Sequence, residues 1–207
     1  MKIAVVGAGR LGSALAKRLV QAGHDVTMCF ARENGWEERA NKVGARAAPV
    51  TEAAAGADVI ALTVPWGAVD AAVAALGGLE GKVVWDCTNA LKPDYSGLAV
   101  GTTTSAGEII ASRFPHARVV KGIPPFAELL ASDDPTINGQ PAGSFVCGDD
   151  AGAKTVVMEL LSALPAAAVD SGPLENARYA EAAGFLLVRL AYGQGLGARV
   201  GLALQHQ

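Results

Sequence analysis

Within its first twelve residues the chain passes from KIAVV, a run of β-formers, into GAGRLG, with glycines at 7, 9 and 12. That spacing leaves few folds open. Gly7 permits a tight turn after the strand, Gly9 lets backbone approach a pyrophosphate, and Gly12 lets the next helix pack closely on the strand. The motif alone is weak, but here it follows a predicted strand (Lys2–Val6) and opens a predicted helix (Leu11–Ala22, stopped by Gly23), the context it requires. The first N–H groups of such a helix, with the positive end of its dipole, hold an anion. Gly7, Ala8, Gly9, Arg10, Leu11 and Gly12 are therefore the candidate cradle for a dinucleotide pyrophosphate. No Gly-Lys-Ser/Thr follows, which excludes a mononucleotide P-loop.

Downstream, β-rich runs alternate with alanine-rich helical ones. Strands are expected over Asp25–Phe30, Ala57–Val64, Lys82–Thr88 and Ala117–Gly122. Helices are expected over Trp36–Val43, Gly67–Leu76 and Ser105–Phe114, the last with Ser105 as N-cap and Glu108 as its capping-box partner. Several strands are apolar on both faces, as a sheet covered on both sides requires. The alternation predicts an α/β chain, a Rossmann doubly wound, mainly parallel sheet. After Gly122 a proline-rich stretch reads as a long irregular excursion, and such loops are often functional. A strand at Ser144–Gly148, a helix at Asp150–Leu164 and an edge strand in PAAAVDSG follow. Pro173 then opens a long final helix, apolar nearly all round from Ala182 to Tyr192. The expected organisation is a dinucleotide-binding domain at 1–122 and a small C-terminal helical extension at 123–207 that completes a substrate cleft.

Composition narrows the partners. Seventeen Lys and Arg against twenty Asp and Glu give a net charge of −3, against a nucleic-acid-binding face. The longest apolar run, Phe185–Leu204, is broken by Arg189, Arg199 and glycines, so a buried helix is expected there rather than a membrane span. Met1-Lys2 leads straight into a strand with no signal-peptide pattern, and the expected location is cytoplasmic. Cys29, Cys87 and Cys147 lie far apart in apolar runs and read as buried hydrophobes, not a disulfide framework. His24, His116 and His206 are equally scattered, so no metal site is expected. The apolar final helix predicts a homodimer.

The end of the second strand selects the nucleotide. A lone carboxylate about 20 residues past the glycines would bind ribose hydroxyls and repel a 2′-phosphate. This chain puts Ala31 and Arg32 there, and a guanidinium fork suits a phosphate in charge and geometry, favouring NADP(H). Glu33 could take the ribose role if the strand ends one residue later. Val64-Pro65 and Asn89 fall at carboxyl ends of later strands, on the ligand edge of an open α/β sheet. Asn89 is either a ribose or carboxamide ligand or a turn residue before Lys92-Pro93.

With these motifs, and with TVPWGAV, WDCTNAL, SAGEIIASRFPHARVVKG and above all VDSGPLENARYAEAAGFLLVRLAYGQGLG, the chain resembles the short Rossmann-type NADP oxidoreductases. These include the NADPH-dependent reductases of the deazaflavin coenzyme F-420. The nucleotide modules of STEAP-type ferric reductases are similar. The resemblance implies that the glycine loop and Arg32 bind NADPH, and that Lys121, Gly122 and Ile123 face the nicotinamide and a deazaflavin- or flavin-like acceptor. One departure stands out: after Val-Val-Lys the family continues Ala-Phe/Leu-Asn-Thr, whereas this chain reads Gly122-Ile123-Pro124-Pro125. A proline offers neither N–H nor amide where the family has Asn. That leaves the acceptor open and raises the alternative of a non-catalytic NADP(H)-binding sensor. Pyrroline-5-carboxylate reductases share the nucleotide domain but need a large helical domain behind it, whereas only one long helix is expected after the sheet here. No nucleophile–base pair or HExxH is present, so no catalytic residue is assigned. Glu175, Arg178 and Glu181 on the last helix either line a cleft or form surface ion pairs.

Overall fold

The structure, a computed structural model, describes residues 1–30, 35–164 and 166–203. Eight strands form one sheet: β1 (Lys2–Val6), β2 (Asp25–Cys29), β3 (Arg46–Ala47), β4 (Val59–Leu62), β5 (Val83–Asp86), β6 (Arg118–Gly122), β7 (Ala142–Gly148) and β8 (Ala166–Asp170). Their spatial order is β3-β2-β1-β4-β5-β6-β7-β8, parallel except where β7 runs against β6. The chain moves outward from β1 to β3, then returns to lay β4 on the other side of β1. That reversal is the topological switch point where ligands bind in open α/β sheets.

Period-two alternation divides the core. Ile3, Val5, Val59, Ala61, Val83 and Trp85 face helices α1 (Arg10–Gln21), α2 (Trp36–Lys42) and α7 (Ala151–Ser162). Their neighbours Ala4, Val6, Ile60, Leu62 and Val84 face α3 (Val50–Gly56), α4 (Val69–Leu76) and α5 (Ala106–Arg113). A one-residue slip in any of these strands would exchange the two faces, but both are apolar and both are covered, as expected of parallel strands.

Differences from the sequence reading are local. ARAAPVTEAAAG, whose sequence shows no clear periodicity, forms β3 and α3; a two-residue strand and a seven-residue alanine-rich helix carry too little pattern to be read. The irregular excursion after Gly122 contains a five-residue helix, α6 (Ala127–Ala131). Arg18 of α1 holds its carboxyl end, donating from Nε to the Leu130 carbonyl at 2.8 Å and from Nη2 to that of Ser132. With no long crossover helix in the excursion, the chain re-enters the sheet antiparallel. The final helix begins as a 3₁₀ turn at Leu174–Asn176 after Pro173, continues as α8 (Ala177–Val188) and ends in a π turn at Arg189–Gly193. It packs through Ala177 and Ala180 near Cys147, leaving Tyr179, Leu186, Tyr192 and Leu196 exposed. No helix among the described residues is long and apolar enough to cross a membrane.

Candidate functional site

Four strand tips in spatial sequence, β2, β1, β4 and β5, build the site. Gly7 sits at φ +118°, a conformation barred to most side chains, and its N–H bonds the Cys29 carbonyl at 2.9 Å. Ala8 N–H reaches the Phe30 carbonyl, and Phe30 itself turns at φ 59°, an uncommon left-handed position that ends β2 abruptly. The Thr63 hydroxyl, buried after β4, donates toward the Gly7 carbonyl at 2.9 Å and the Val6 carbonyl at 3.1 Å. Gly12 packs so closely that a Cβ there would stand 1.8 Å from the Gly7 oxygen.

Above Gly9 the situation is the reverse: a Cβ would meet nothing within 4 Å. No side chain among the described residues caps α1, and its first turn holds no acid. By contrast α7 is capped by Asp150, and α5 by Ser105 with Glu181. The loop thus offers free N–H groups, a positive dipole end and space, which fits a pyrophosphate. Arg10 is exposed and pairs with Glu128 of α6 at 2.5 Å; Tyr192 donates to the same carboxylate at 3.2 Å and meets the Phe126 ring edge-on at 5.8 Å. Leu11 is half-buried, Val64 buried beside Gly7, and Pro65 exposed. Ala31 and Arg32, with Glu33, lie outside the described residues, as does His206.

Further along the edge stand Asn89 and, after β6, Gly122 and Ile123. The Trp85 indole donates to the Gly122 carbonyl at 2.7 Å and the Ser144 hydroxyl to the Ile123 carbonyl at 2.7 Å, so this segment is fixed from below. Asn89 Nδ2 reaches the Glu181 carbonyl at 3.5 Å, while its Oδ1 is buried with no partner among the described residues. Lys121 does not reach the edge. Its side chain is wholly buried, and its ammonium donates to Asp86 Oδ2 (2.7 Å), the Thr88 carbonyl (2.7 Å) and Glu181 Oε1 (3.0 Å). All three donors are engaged, so any influence on a coenzyme passes through other residues or backbone. Burial alone would push this ammonium's pKa down, but the facing Asp86 and Glu181 carboxylates outweigh it and hold the value above the ordinary lysine range.

The acidic and basic residues of the last helix serve docking. Glu181 caps α5 through the N–H groups of Ala106 (2.9 Å) and Gly107 (3.1 Å). Arg178 forks onto Glu108 at 2.9 and 2.6 Å and also meets Glu175. The Arg178 guanidinium, helped by Ser105, keeps Glu108 below the usual carboxylate range. Neither arrangement opens a cleft. The capping box is likewise altered: Glu108 accepts from the Ser105 hydroxyl at 2.8 Å rather than reaching a backbone N–H. All three cysteines are free and buried, burial pushing Cys29 up to about 12 and Cys147 to about 11. No metal-binding cluster exists among the described residues.

Thr63, Asp86 and Glu128 carried no assignment from sequence. Asp86 had a signal: a carboxylate inside VVWDCT and a lysine inside RVVKG are opposite charges in apolar strands, and in the sheet they are register partners.

Comparisons with known proteins fit this geometry. A family model described as NADP oxidoreductase coenzyme F420-dependent matches residues 2–90. A candidate F420-dependent NADP reductase from Arthrobacter sp. FB24 is 30% identical, each chain covered completely, with a TM-score of 0.87. An uncharacterised protein of Sinorhizobium meliloti is also 30% identical over 86% of this chain and 88% of its own, with a TM-score of 0.74. A reductive aminase from Aspergillus terreus, seen with NADPH and ethyl levulinate, shares the fold at 20% identity and a TM-score of 0.70, over 94% of this chain and 62% of its own. No curated protein matches. An end-to-end relative and a matching nucleotide half, with a glycine-loop helix directly after the first strand, settle the lineage: the chain belongs to the coenzyme F420-dependent NADP oxidoreductase family.

Proposed function

We propose that this protein binds NADP(H) at the switch point and moves a hydride between it and a second flat redox partner, a deazaflavin (F-420) or a flavin. The observation that carries the reading is the uncapped first turn of α1 with open space above Gly9. NADPH brings the hydride chemistry; the chain's work is to bind, orient and exclude water. Gly7 to Gly12 cradle the pyrophosphate, with Ala8 and Leu11 contributing backbone. Arg32, beside Ala31, receives the 2′-phosphate. Val64, Pro65 and Asn89 line the nucleoside and carboxamide side, and Gly122–Ile123 form the floor beneath the ring. The exposed apolar residues of the C-terminal region, Tyr179, Leu186 and Leu196, serve a homodimer contact in the cytoplasm. Light scattering at micromolar concentration is expected to give twice the chain mass; a monomer would remove that part.

Arg32→Ala tests the coenzyme assignment. Loss of hydrogen bonds to a charged phosphate costs about 1.5–3 kcal/mol, so NADPH affinity falls roughly 10- to 150-fold. NADH affinity stays within about threefold, since NADH lacks the 2′-phosphate. An unchanged NADPH-to-NADH ratio in calorimetric titrations would reject the role.

A second reading, a non-catalytic NADP(H) sensor, draws on Glu128. It joins Arg10 of the glycine loop to Tyr192 of the C-terminal turn, so a phosphate competing for Arg10 releases that turn. Steady-state NADPH oxidation with F-420, FMN and menadione separates the two: turnover supports the enzyme, tight binding with no turnover the sensor.

A further inference from the structure

A lysine with no accessible surface, held between two carboxylates, needs a reason. Replacing such a group by apolar residues is often neutral or stabilising, so stability alone does not account for it. Its connections are informative. Asp86 and the Thr88 carbonyl belong to the tip of β5, Lys121 to β6, and Glu181 to α8; through Glu181 the group also holds the amino end of α5. The Thr88 N–H closes the circuit onto Asp86 Oδ1 at 2.8 Å. Each ammonium hydrogen therefore fixes a different piece of backbone or side chain, at three distances that leave no slack.

Directly beyond this knot stand the two residues at the ring end of the edge. Asn89 follows Thr88, and Ile123 lies two residues after Lys121. Helix α8 passes close to both at Gly184, where a Cβ would stand 3.1 Å from Ile123 Cδ1 and 3.2 Å from Asn89 Nδ2. A glycine in mid-helix costs about 1 kcal/mol relative to alanine, so close approach explains its presence. Asn89 retains a buried, unpartnered Oδ1, an acceptor waiting for a donor.

We propose that Lys121 is a positioning residue: it clamps the tips of β5 and β6 to α8, and so sets where Asn89 and Ile123 meet the nicotinamide ring. The ammonium touches no coenzyme; it acts through the Thr88 carbonyl, Glu181 and the backbone of its own strand. The inference rests on the coenzyme reading above, and its test separates the two.

The main variant is the neutral, near-isosteric triple substitution Asp86→Asn, Lys121→Met, Glu181→Gln, which removes the clamp without leaving a buried charge. The milder Glu181→Gln keeps an acceptor for the α5 N–H groups and decides the matter if the triple variant does not fold. Each is titrated with NADPH, the emission of the bound nicotinamide is recorded, and turnover is measured with coenzyme F-420 and FMN. The Kd for NADPH is expected to stay within about threefold, because the glycine loop and Arg32 carry affinity. The nicotinamide emission shifts, and kcat falls roughly 10- to 100-fold, the effect of sub-ångström to 1 Å misplacement. A folded variant with unchanged emission and unchanged kcat overturns the clamp and leaves Lys121 a structural residue. Failure of the unaltered protein to bind NADPH overturns the coenzyme reading itself, before any variant is made.

Discussion

Gly12→Ala abolishes coenzyme binding and severely weakens the fold, while Gly9→Ala abolishes binding and leaves the fold intact. The added methyl at position 12 would stand 1.8 Å from the Gly7 carbonyl oxygen and 2.7 Å from Thr63 Oγ1. The first of these is backbone, so α1 and the loop after β1 have to separate. Overpacking of this kind costs typically about 1–3 kcal/mol and more where backbone must move. The same shift turns the N–H groups away from the pyrophosphate; losing two charge-assisted hydrogen bonds lowers affinity more than about a hundredfold. At position 9 a methyl meets nothing within 4 Å, and φ −79° suits alanine. Thermal stability there stays within about 1 kcal/mol, since the lost N-cap preference and the reduced unfolded-state entropy oppose each other. The methyl nevertheless occupies the line along which a pyrophosphate approaches. Thermal melts and NADPH titrations of both variants check this. A Gly9→Ala protein that binds NADPH as the unaltered chain does would falsify the cradle.

Lys121→Met alone destabilises the protein by about 3–5 kcal/mol, the usual result of stranding buried charges. For a chain of this length that lowers Tm by roughly 6–20 °C. The sign with pH is also set. Burial opposes the charged ammonium, but Asp86 and Glu181 raise its pKa above the ordinary value. A raised folded-state value means that the lysine's contribution is complete below the unfolded-state value of 10.5 and fades only as pH climbs beyond it. Across pH 5 to 8 the unaltered protein therefore gains and loses nothing from this group. In the variant, two buried carboxylates lose their counter-ion. Thermal melts of the variant and the unaltered protein read the deficit directly; a deficit below about 1 kcal/mol means the carboxylates find other partners. In the triple neutral variant most of the lost stability returns, because nothing charged remains unpaired.

How much of this was legible beforehand follows from the range over which each residue acts. The strand–GAGRLG–helix unit and the doubly wound sheet could be read because glycine spacing and apolar periodicity are properties of neighbouring residues. The cap at Ser105 is readable for the same reason, being a three-residue interaction. Element ends moved by a residue or two, and β3 with α3 went unread because two strand residues and seven alanine-rich ones carry little pattern.

What lay beyond reach was pairing across distance. Lys121 reads from sequence as a residue facing the coenzyme; only the adjacency of β5 and β6 puts it against Asp86, 35 residues earlier, and only the docking of α8 adds Glu181. Glu181 itself reads as a cleft or surface acid until α5 is seen to end on it, 75 residues upstream in the chain. Sequence alone thus determined that a strand, a glycine turn and a helix would present free N–H groups to a phosphate, because sterics and hydrogen bonding within one βαβ unit dictate it. Tertiary structure decided which charges are buried and what they hold, because the cost of desolvating an ion is set by what surrounds it in space.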